Sequence, residues 1–263
     1  MGDLTTLATC HQVEPSRYGH LLKEEGEKFI AVTTQADPET PIPTCPGWTM
    51  SDLLDHVGGL HRWAEAHVRL LSPRRITGKE LQLDTPEDRR GYPDWLRAGL
   101  QRLIDTCLAA DPGAEVWAWG ADKHARFWPR RMLFETVIHR VDAELALDIH
   151  PDVPTSVALD GIDEFLDNLP HAVYFAPKVA DLRGSGERVA LSPNDADTRW
   201  TIHLTEDGFH WDHSTLHHPD VNVTAMASEL LLFVYGRRDI ANPSIAMRGD
   251  DSLLARWVEN SAI

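Results

Sequence analysis

The chain has 263 residues, 42% of them hydrophobic and 25% charged, and a net charge of −16. This suits a soluble protein of one large or two modest domains with a substantial core; the negative excess disfavours nucleic acid, whose phosphates select basic patches, and anionic membrane surfaces. No apolar run approaches the roughly 18 residues of a membrane span, no basic-then-apolar segment opens the chain, and Cys10, Cys45 and Cys107 are far apart and in no CxxC pair, so a cytoplasmic setting without disulfides or a structural zinc cluster is expected.

Tyr18, Leu21, Leu22, Phe29 and Val32 recur at helical spacing. Pro38, Pro41, Pro43 and Pro46 then make a loop. Thr49 followed by Asp52 has the form of a capping box, opening a second helix that runs to about Leu71. After a polar, Gly/Pro-containing stretch to about Pro93, "DWLRAGLQRLIDTCLAA" reads as a third amphipathic helix stopped by "DPG". A fourth begins near Trp128, with Pro129 in its tolerant first turn, and continues to about Asp148. Beyond the linker "HPDVPTS" the pattern changes. "ALDGIDEFLDNLPHAVY" reads as helix, and "RVALSP", "RWTIHLTEDGFHWDH" and "DVNVTAM" as strands, with a hairpin turn at Glu206–Gly208. "SELLLFVYGRR" and "DSLLARWVEN" read as helices flanking a strand-like "SIAMRG". The expected organisation is a four-helix bundle over 10–152 and a small α+β domain over 153–263.

The fourth helix raises the chemical question. At 100° per residue, Phe134, Val137, Ile138, Val141 and Leu145 form one apolar arc, and Thr136, Arg140 and Glu144 read as an ordinary solvated face. Arg131, Glu135, His139 and Asp142 form a second polar stripe bordering the apolar arc, so it is expected to point partly inward. Glu135 and His139, at i and i+4, fit either a surface ladder worth a few tenths of a kcal/mol per pair or two ligands of one divalent metal, with Asp142 orienting His139 through its other nitrogen. A catalytic zinc usually takes three protein ligands. On the second helix His56, Leu60, Trp63 and His67 share a face and His61 lies about 140° from His56, while Gly58–Gly59 would admit a close neighbour. His56 is the candidate third ligand; the competing account is a packed core histidine.

The blocks "PTCPGWTMSDLLDHVGGLHRW", "FWPRRMLFETVIHRVDAELAL" and "ALDGIDEFL", followed by "RWTIHLTEDG", "VTAMASELLLFVYGRRD" and "LLARW", resemble the mycothiol-dependent maleylpyruvate isomerase family, a branch of the DinB-like metal enzymes. They cover most of the chain in the family's order. The resemblance implies an α+β protein with an N-terminal DinB-like four-helix bundle and a smaller C-terminal α/β domain of sterol-carrier-like type. It implies a metal triad of His56, Glu135 and His139, a divalent metal with zinc foremost, and a low-molecular-weight thiol, typically mycothiol. A zinc-bound thiol is deprotonated, and the thiolate is the nucleophile. Its addition to a double bond conjugated with a carbonyl, then rotation and elimination, isomerises a maleylpyruvate-type substrate; addition without elimination leaves a thioether. The implied activity is therefore a thiol-dependent isomerase or S-transferase acting on a small electrophile. A metal hydrolase and a non-catalytic DinB-fold binding protein are the alternatives.

Arg131 is a candidate for holding a substrate or cofactor carboxylate, or for pairing with Glu135. Arg237 and Arg238 are candidates for reaching a substrate carboxylate from the second domain, or for ending a helix. Trp117–Gly120 reads as a pocket wall or as packing. Cys45 is a conceivable nucleophile with no basic partner marked in the sequence. His210, His213, His217 and His218 have the look of a metal tract, but His210 alternates with Phe209 and Trp211 as strand residues do.

Overall fold

A computed structural model describes residues 15–215 and 218–263, so the readings on Cys10, His217 and the N-terminal segment lie outside the described residues. The first half is helical: α1 (Pro15–Thr34), α2 (Met50–Leu70), α3 (Tyr92–Ala109) and α4 (Phe127–Ala146). The α2 start is set by its capping box. Asp52 N donates to the Thr49 hydroxyl and Thr49 N donates to the Asp52 carboxylate, satisfying N–H groups that a helix start leaves unpaired. α1 packs on α3 and α4, and α2 on the same pair. The Gly58–Gly59 step splits into two roles. A Cβ on Gly58 would lie 2.0 Å from the Trp95 ring of α3, whereas one on Gly59 would meet nothing within 4 Å.

The second half carries α5 (Thr155–Asn168), α6 (Ala227–Val234), α7 (Asp251–Asn260) and five strands, β1 (Arg188–Pro193), β2 (Trp200–Thr205), β3 (Gly208–Asp212), β4 (Val221–Ala225) and β5 (Ala246–Gly249). The sheet order is β3-β2-β1-β4-β5, with β1 and β4 parallel and the other neighbours antiparallel. The helix of "ALDGIDEFLDNLPHAVY" stops at Asn168 and continues as a 3-10 segment, Leu169–Tyr174, at Pro170, which has no N–H to give. The core does not stop at the junction. Phe134 of α4, Phe165 of α5, Leu231 of α6, and Val189 and Trp200 of the sheet belong to one buried cluster. Trp200 Nε1 also donates to Asp163 of α5 at 2.6 Å. Cys45 and Cys107 are free thiols, and no described helix is long and apolar enough to cross a membrane.

One expectation is corrected. Thr136 and Arg140 do not form a solvated face; they are 0% and 1% exposed, because α4 is the central helix and its neighbours cover that side. Arg140 donates from Nε to Glu25 of α1 (2.6 Å), from Nη1 to Glu144 (2.6 Å) and from Nη2 to the Asp152 carbonyl (3.0 Å). The Thr136 hydroxyl donates to the Met132 carbonyl (2.7 Å), and His61 Nε2 lies 2.9 Å from the same hydroxyl. With the hydroxyl proton committed, His61 Nε2 must be the donor, which leaves buried His61 Nδ1 without a partner. Burial, reinforced by the Arg62 charge, pushes the His61 imidazole down to about 3. In the histidine-rich strand region, the His210 ring stacks on His203 at 4.7 Å, and His213 lies 3.4 Å from Asp163. Among the described residues this tract supplies no group of three metal-ligand atoms.

Two measurements check these packing assignments. In chemical denaturation, Gly58→Ala is expected to lose about 1–3 kcal/mol through the clash with Trp95, and Gly59→Ala to gain about 0.5–1 kcal/mol from helix propensity. His61 has a folded-state pKa below its unfolded value, so the unfolded chain takes up its proton first. Stability is then lost as pH falls from about 6.5 toward 3, with a slope of about 1.4 kcal/mol per unit from this residue. In His61→Leu that component of the slope is expected to vanish.

Candidate metal centre

The inward stripe of α4 is where chemistry collects. Glu135 and His139 are one turn apart, and His139 Nε2 lies 3.5 Å from Glu135 Oε2. From α2, the His56 ring meets the His139 ring edge-on, with centroids 4.8 Å apart. One ligand atom from each of His56, Glu135 and His139 lies within 4.8 Å of the other two. Two imidazoles and a carboxylate are a donor set suited to zinc and its neighbours. The separation is that of atoms able to converge on one cation, and the fit is favourable in other respects too. His139 Nδ1 donates to Asp142 Oδ2 at 2.9 Å, which fixes the tautomer and leaves Nε2 facing Glu135. Arg131 donates twice to Glu135 Oε1, at 2.8 and 3.2 Å, leaving Oε2 on the His139 side.

The charges follow from these contacts. Burial pulls the Glu135 carboxyl up, but the Arg131 guanidinium and His139 overcome it and hold the group well below the usual carboxylate range. Asp142 is likewise held low, against its burial, by hydrogen bonds from His139 and Arg237. In the metal-free chain burial opposes charge on His139, yet Asp142, Cys45 and Glu135 raise it to about 10. A proton on Nε2 then stands where a metal would bind. His56 is pushed down to about 4, first by burial and then by His139, and is neutral and ready to ligate.

A second tier surrounds the three side chains. Asp142, fully buried, accepts from the Thr44 hydroxyl (2.6 Å), from Arg237 Nε and Nη2 (both 2.9 Å) and from Cys45 Sγ (3.4 Å), besides His139. Cys45, His139 and Asp142 also place ligand atoms within 4.8 Å of one another, but Arg237 already covers both Asp142 oxygens, so a cation there would meet a guanidinium. Arg131 continues from Glu135 to Glu164 of α5 (2.6 Å) and the Tyr235 hydroxyl (3.1 Å). Trp48, carried by the proline-rich loop after a turn at Gly47 with φ +87°, packs on His56 (4.8 Å) and His139 (6.1 Å). Positive φ at that turn favours glycine.

The structure thus brings His56, Glu135 and His139 together and sets Arg131 and Arg237 beside them. It does not bring Arg238, which is held by Glu229 at 2.7 Å. Trp119 lies over the Arg131 guanidinium at 5.6 Å, while Trp117 packs among Trp63, His67 and Trp128. Thr44, Trp48, Glu164 and Tyr235 were not singled out from the sequence. All four nevertheless stand in the blocks that carry the resemblance: Thr44 and Trp48 in "PTCPGW", Glu164 in "ALDGIDEFL" and Tyr235 in "LLLFVYGRR".

A helical bundle presenting a His–Glu–His constellation, joined through a shared core to an α/β domain, defines a two-domain protein with a candidate metal centre in its bundle. Residues 20–144 match the Mycothiol maleylpyruvate isomerase N-terminal domain family and residues 156–256 match the MDMPI C-terminal domain, and the chain belongs to this family. A solved structure of the mycothiol-dependent maleylpyruvate isomerase is similar with a TM-score of 0.59 at 15% identity, covering 92% of this chain and 95% of that one. A histidine-to-alanine mutant of the mycothiol-dependent maleylpyruvate isomerase is similar with a TM-score of 0.58 at 16% identity and the same coverage. At such identities the likeness establishes the fold. No curated protein sequence matches significantly.

If His56, Glu135 and His139 form a metal site, purified protein should carry near-stoichiometric divalent metal that His56→Ala and His139→Ala both lose. Asp142→Asn keeps the ligands but releases the orientation of His139, so its affinity should fall about 10–100-fold, read by chelator competition. Equal metal in all four proteins would remove the site.

Proposed function

We propose that the chain is a metal-dependent enzyme that uses a low-molecular-weight thiol, mycothiol or a relative, against a small electrophile in the cytoplasm, giving either cis–trans isomerisation or a thioether. The observation that carries this reading is the convergence of one ligand atom each from His56, Glu135 and His139 within 4.8 Å, in a family whose solved relative is a mycothiol-dependent isomerase. Three protein ligands leave a divalent metal a coordination position at which a thiol loses its proton at neutral pH.

The chain's own residues have separable duties. Asp142 accepts from His139 Nδ1 and so turns Nε2, from which a metal would displace the second proton, toward Glu135. Arg131 ties down Glu135 Oε1 and holds the carboxylate ionised. Trp48 covers the His56 and His139 rings on one side, limiting water at the centre. From the second half of the chain, which we take to begin at residue 153, Arg237, Glu164 and Tyr235 brace both ends of the stripe. A hydrolase would need a further free base to activate water. Asp142 and Glu164 are both bound to arginines, which favours the thiol-dependent reading.

Incubation with mycothiol and maleylpyruvate, followed by mass spectrometry, separates an isomer of unchanged mass from a thiol adduct. Turnover should require the thiol and fall at least about 100-fold in His139→Ala. Turnover without any thiol, or none with any electrophile, would sink the proposal.

A further inference from the structure

The face of α2 turned away from the candidate metal centre holds a buried charge with no acid to balance it. At 100° per residue, Arg62, Glu65 and Arg69 lie about 120–180° round the helix from His56. Arg62 is 8% exposed, and its guanidinium lies 4.0 Å over the Trp95 ring of α3. It donates from Nη1 to the Gly58 carbonyl (3.1 Å) and from Nη2 to the Trp95 carbonyl (2.7 Å), and forms no ion pair among the described residues. A buried charge is ordinarily paired with an opposite one. α3 is shaped to admit this one. A Cβ on Gly99 would stand 2.3 Å from Arg62 Nη1, so a residue that weakens a helix interior by about 1 kcal/mol leaves room for the guanidinium. Burial, and then the charge of Arg102, pull Arg62 down to about 10, which Asp84 offsets only in part. The strongest charge acting on this buried cation is therefore a second cation.

Both arginines line a cleft of about 620 Å³ formed by α2, α3 and the loop after α2, a size suited to a small molecule. Part of its charge cancels. Arg69 pairs with Glu65 at 2.8 Å and Arg74 with Glu80 at 2.7 Å. The remaining charged residues of the lining are Arg62, Lys79, Arg102 and Asp84, and none of them forms an ion pair among the described residues. Three cations against one carboxylate leave a surplus of two positive charges, in a chain whose net charge is −16. Like charges gathered this way repel one another, and an anion relieves them. A phosphate monoester suits the cleft better than a carboxylate. It carries nearly two negative charges above its second pKa of about 6, and its oxygens can meet guanidiniums and an ammonium from different directions. Ile76 and Leu81 of the same lining offer apolar surface to the body of the ligand.

We propose that this cleft is a second ligand site, separate from the candidate metal centre, that binds a phosphorylated small molecule, with Arg62 and Arg102 holding the phosphate and Lys79 reaching it from the loop. Arg62 is preset. Trp95 and two carbonyls fix the plane of its guanidinium, so little side-chain freedom is left to lose on binding. Arg102 and Lys79 are exposed and free to adjust. α2 carries His56 on one face and Arg62 on another, so the two sites share a helix without sharing a residue.

The probe is phenyl phosphate at about pH 8, where the ester is almost fully dianionic, titrated calorimetrically into the purified full chain. Phenol and inorganic phosphate serve as its two halves. Phenyl phosphate should bind at least about threefold more tightly than inorganic phosphate, and phenol should not bind measurably. Arg102→Gln should weaken phenyl phosphate about tenfold or more, and Lys79→Gln about fivefold. Both side chains are exposed, so both variants are expected to fold. In the ligand-free chain Arg102→Gln should raise the thermal midpoint, because it removes a charge that opposes Arg62. An arginine with a purely structural role would lower it when removed. No binding of phenyl phosphate, equal binding of phenol or of inorganic phosphate, an affinity unchanged in both variants, or a lowered midpoint in Arg102→Gln overturns the inference. So does binding kept in Arg102→Gln but lost in His139→Ala, which would assign the anion to the metal centre.

Discussion

The hydrogen-bonded carboxylate of Asp142 is the constraint on which the candidate centre depends. It is fully buried, where an unpaired carboxylate would be severely destabilised. It stays ionised because donors from its own helix and from two distant segments reach it: His139 three residues before it in α4, Thr44 and Cys45 in the proline-rich loop, and Arg237 after α6. The Arg237 pair is two-pronged, the geometry in which a guanidinium binds a carboxylate most strongly. The same contacts do three things at once. They close the loop onto the bundle, attach the second half of the chain to α4, and hold the His139 ring in one tautomer and one orientation.

α4 obeys this logic along its whole length. A central helix is usually apolar all round, yet α4 buries Arg131, His139, Arg140 and Asp142. Three of them are balanced by a partner from elsewhere, Glu164 for Arg131, Glu25 for Arg140 and Arg237 for Asp142, and His139 by Glu135 and Asp142 of the same helix. Such pairs add little net stability over apolar packing but are costly to break. They make the helix's rotation and depth in the bundle sensitive to every neighbour, and rotation is what decides whether Glu135 and His139 face His56.

That dependence marks the limit of what the sequence could show. The α2 capping box, the four helices and the strand alternation in "RWTIHLTEDGFHWDH" are local patterns and are readable from neighbouring residues. The inward direction of Arg131, Glu135, His139 and Asp142 was also legible, since the stripe borders the apolar arc. The opposite face was misread because a polar residue looks the same whether it meets water or a partner. Nothing local says that Arg140 has Glu25, 115 positions away, to meet. Arg237 is similar. Its position after a helix resembles ordinary C-terminal placement, while its partner lies 95 residues earlier. Arg238, its neighbour, has the same sequence signal and a different fate.

The second half of the chain thereby does more than accompany the bundle. Glu135 has two oxygens, and what each faces decides how it can serve a cation. Arg131 takes Oε1 and leaves Oε2 toward His139, while Glu164 and Tyr235 hold its other nitrogen. At the opposite end, Arg237 performs the matching service for Asp142, and through it for His139. Glu164, Tyr235 and Arg237 all lie beyond α4, in or next to α5 and α6. The candidate ligand atoms are therefore supplied by the bundle while their aim is set from outside it, a clamp closed on α4 from the α/β side at both ends of one stripe.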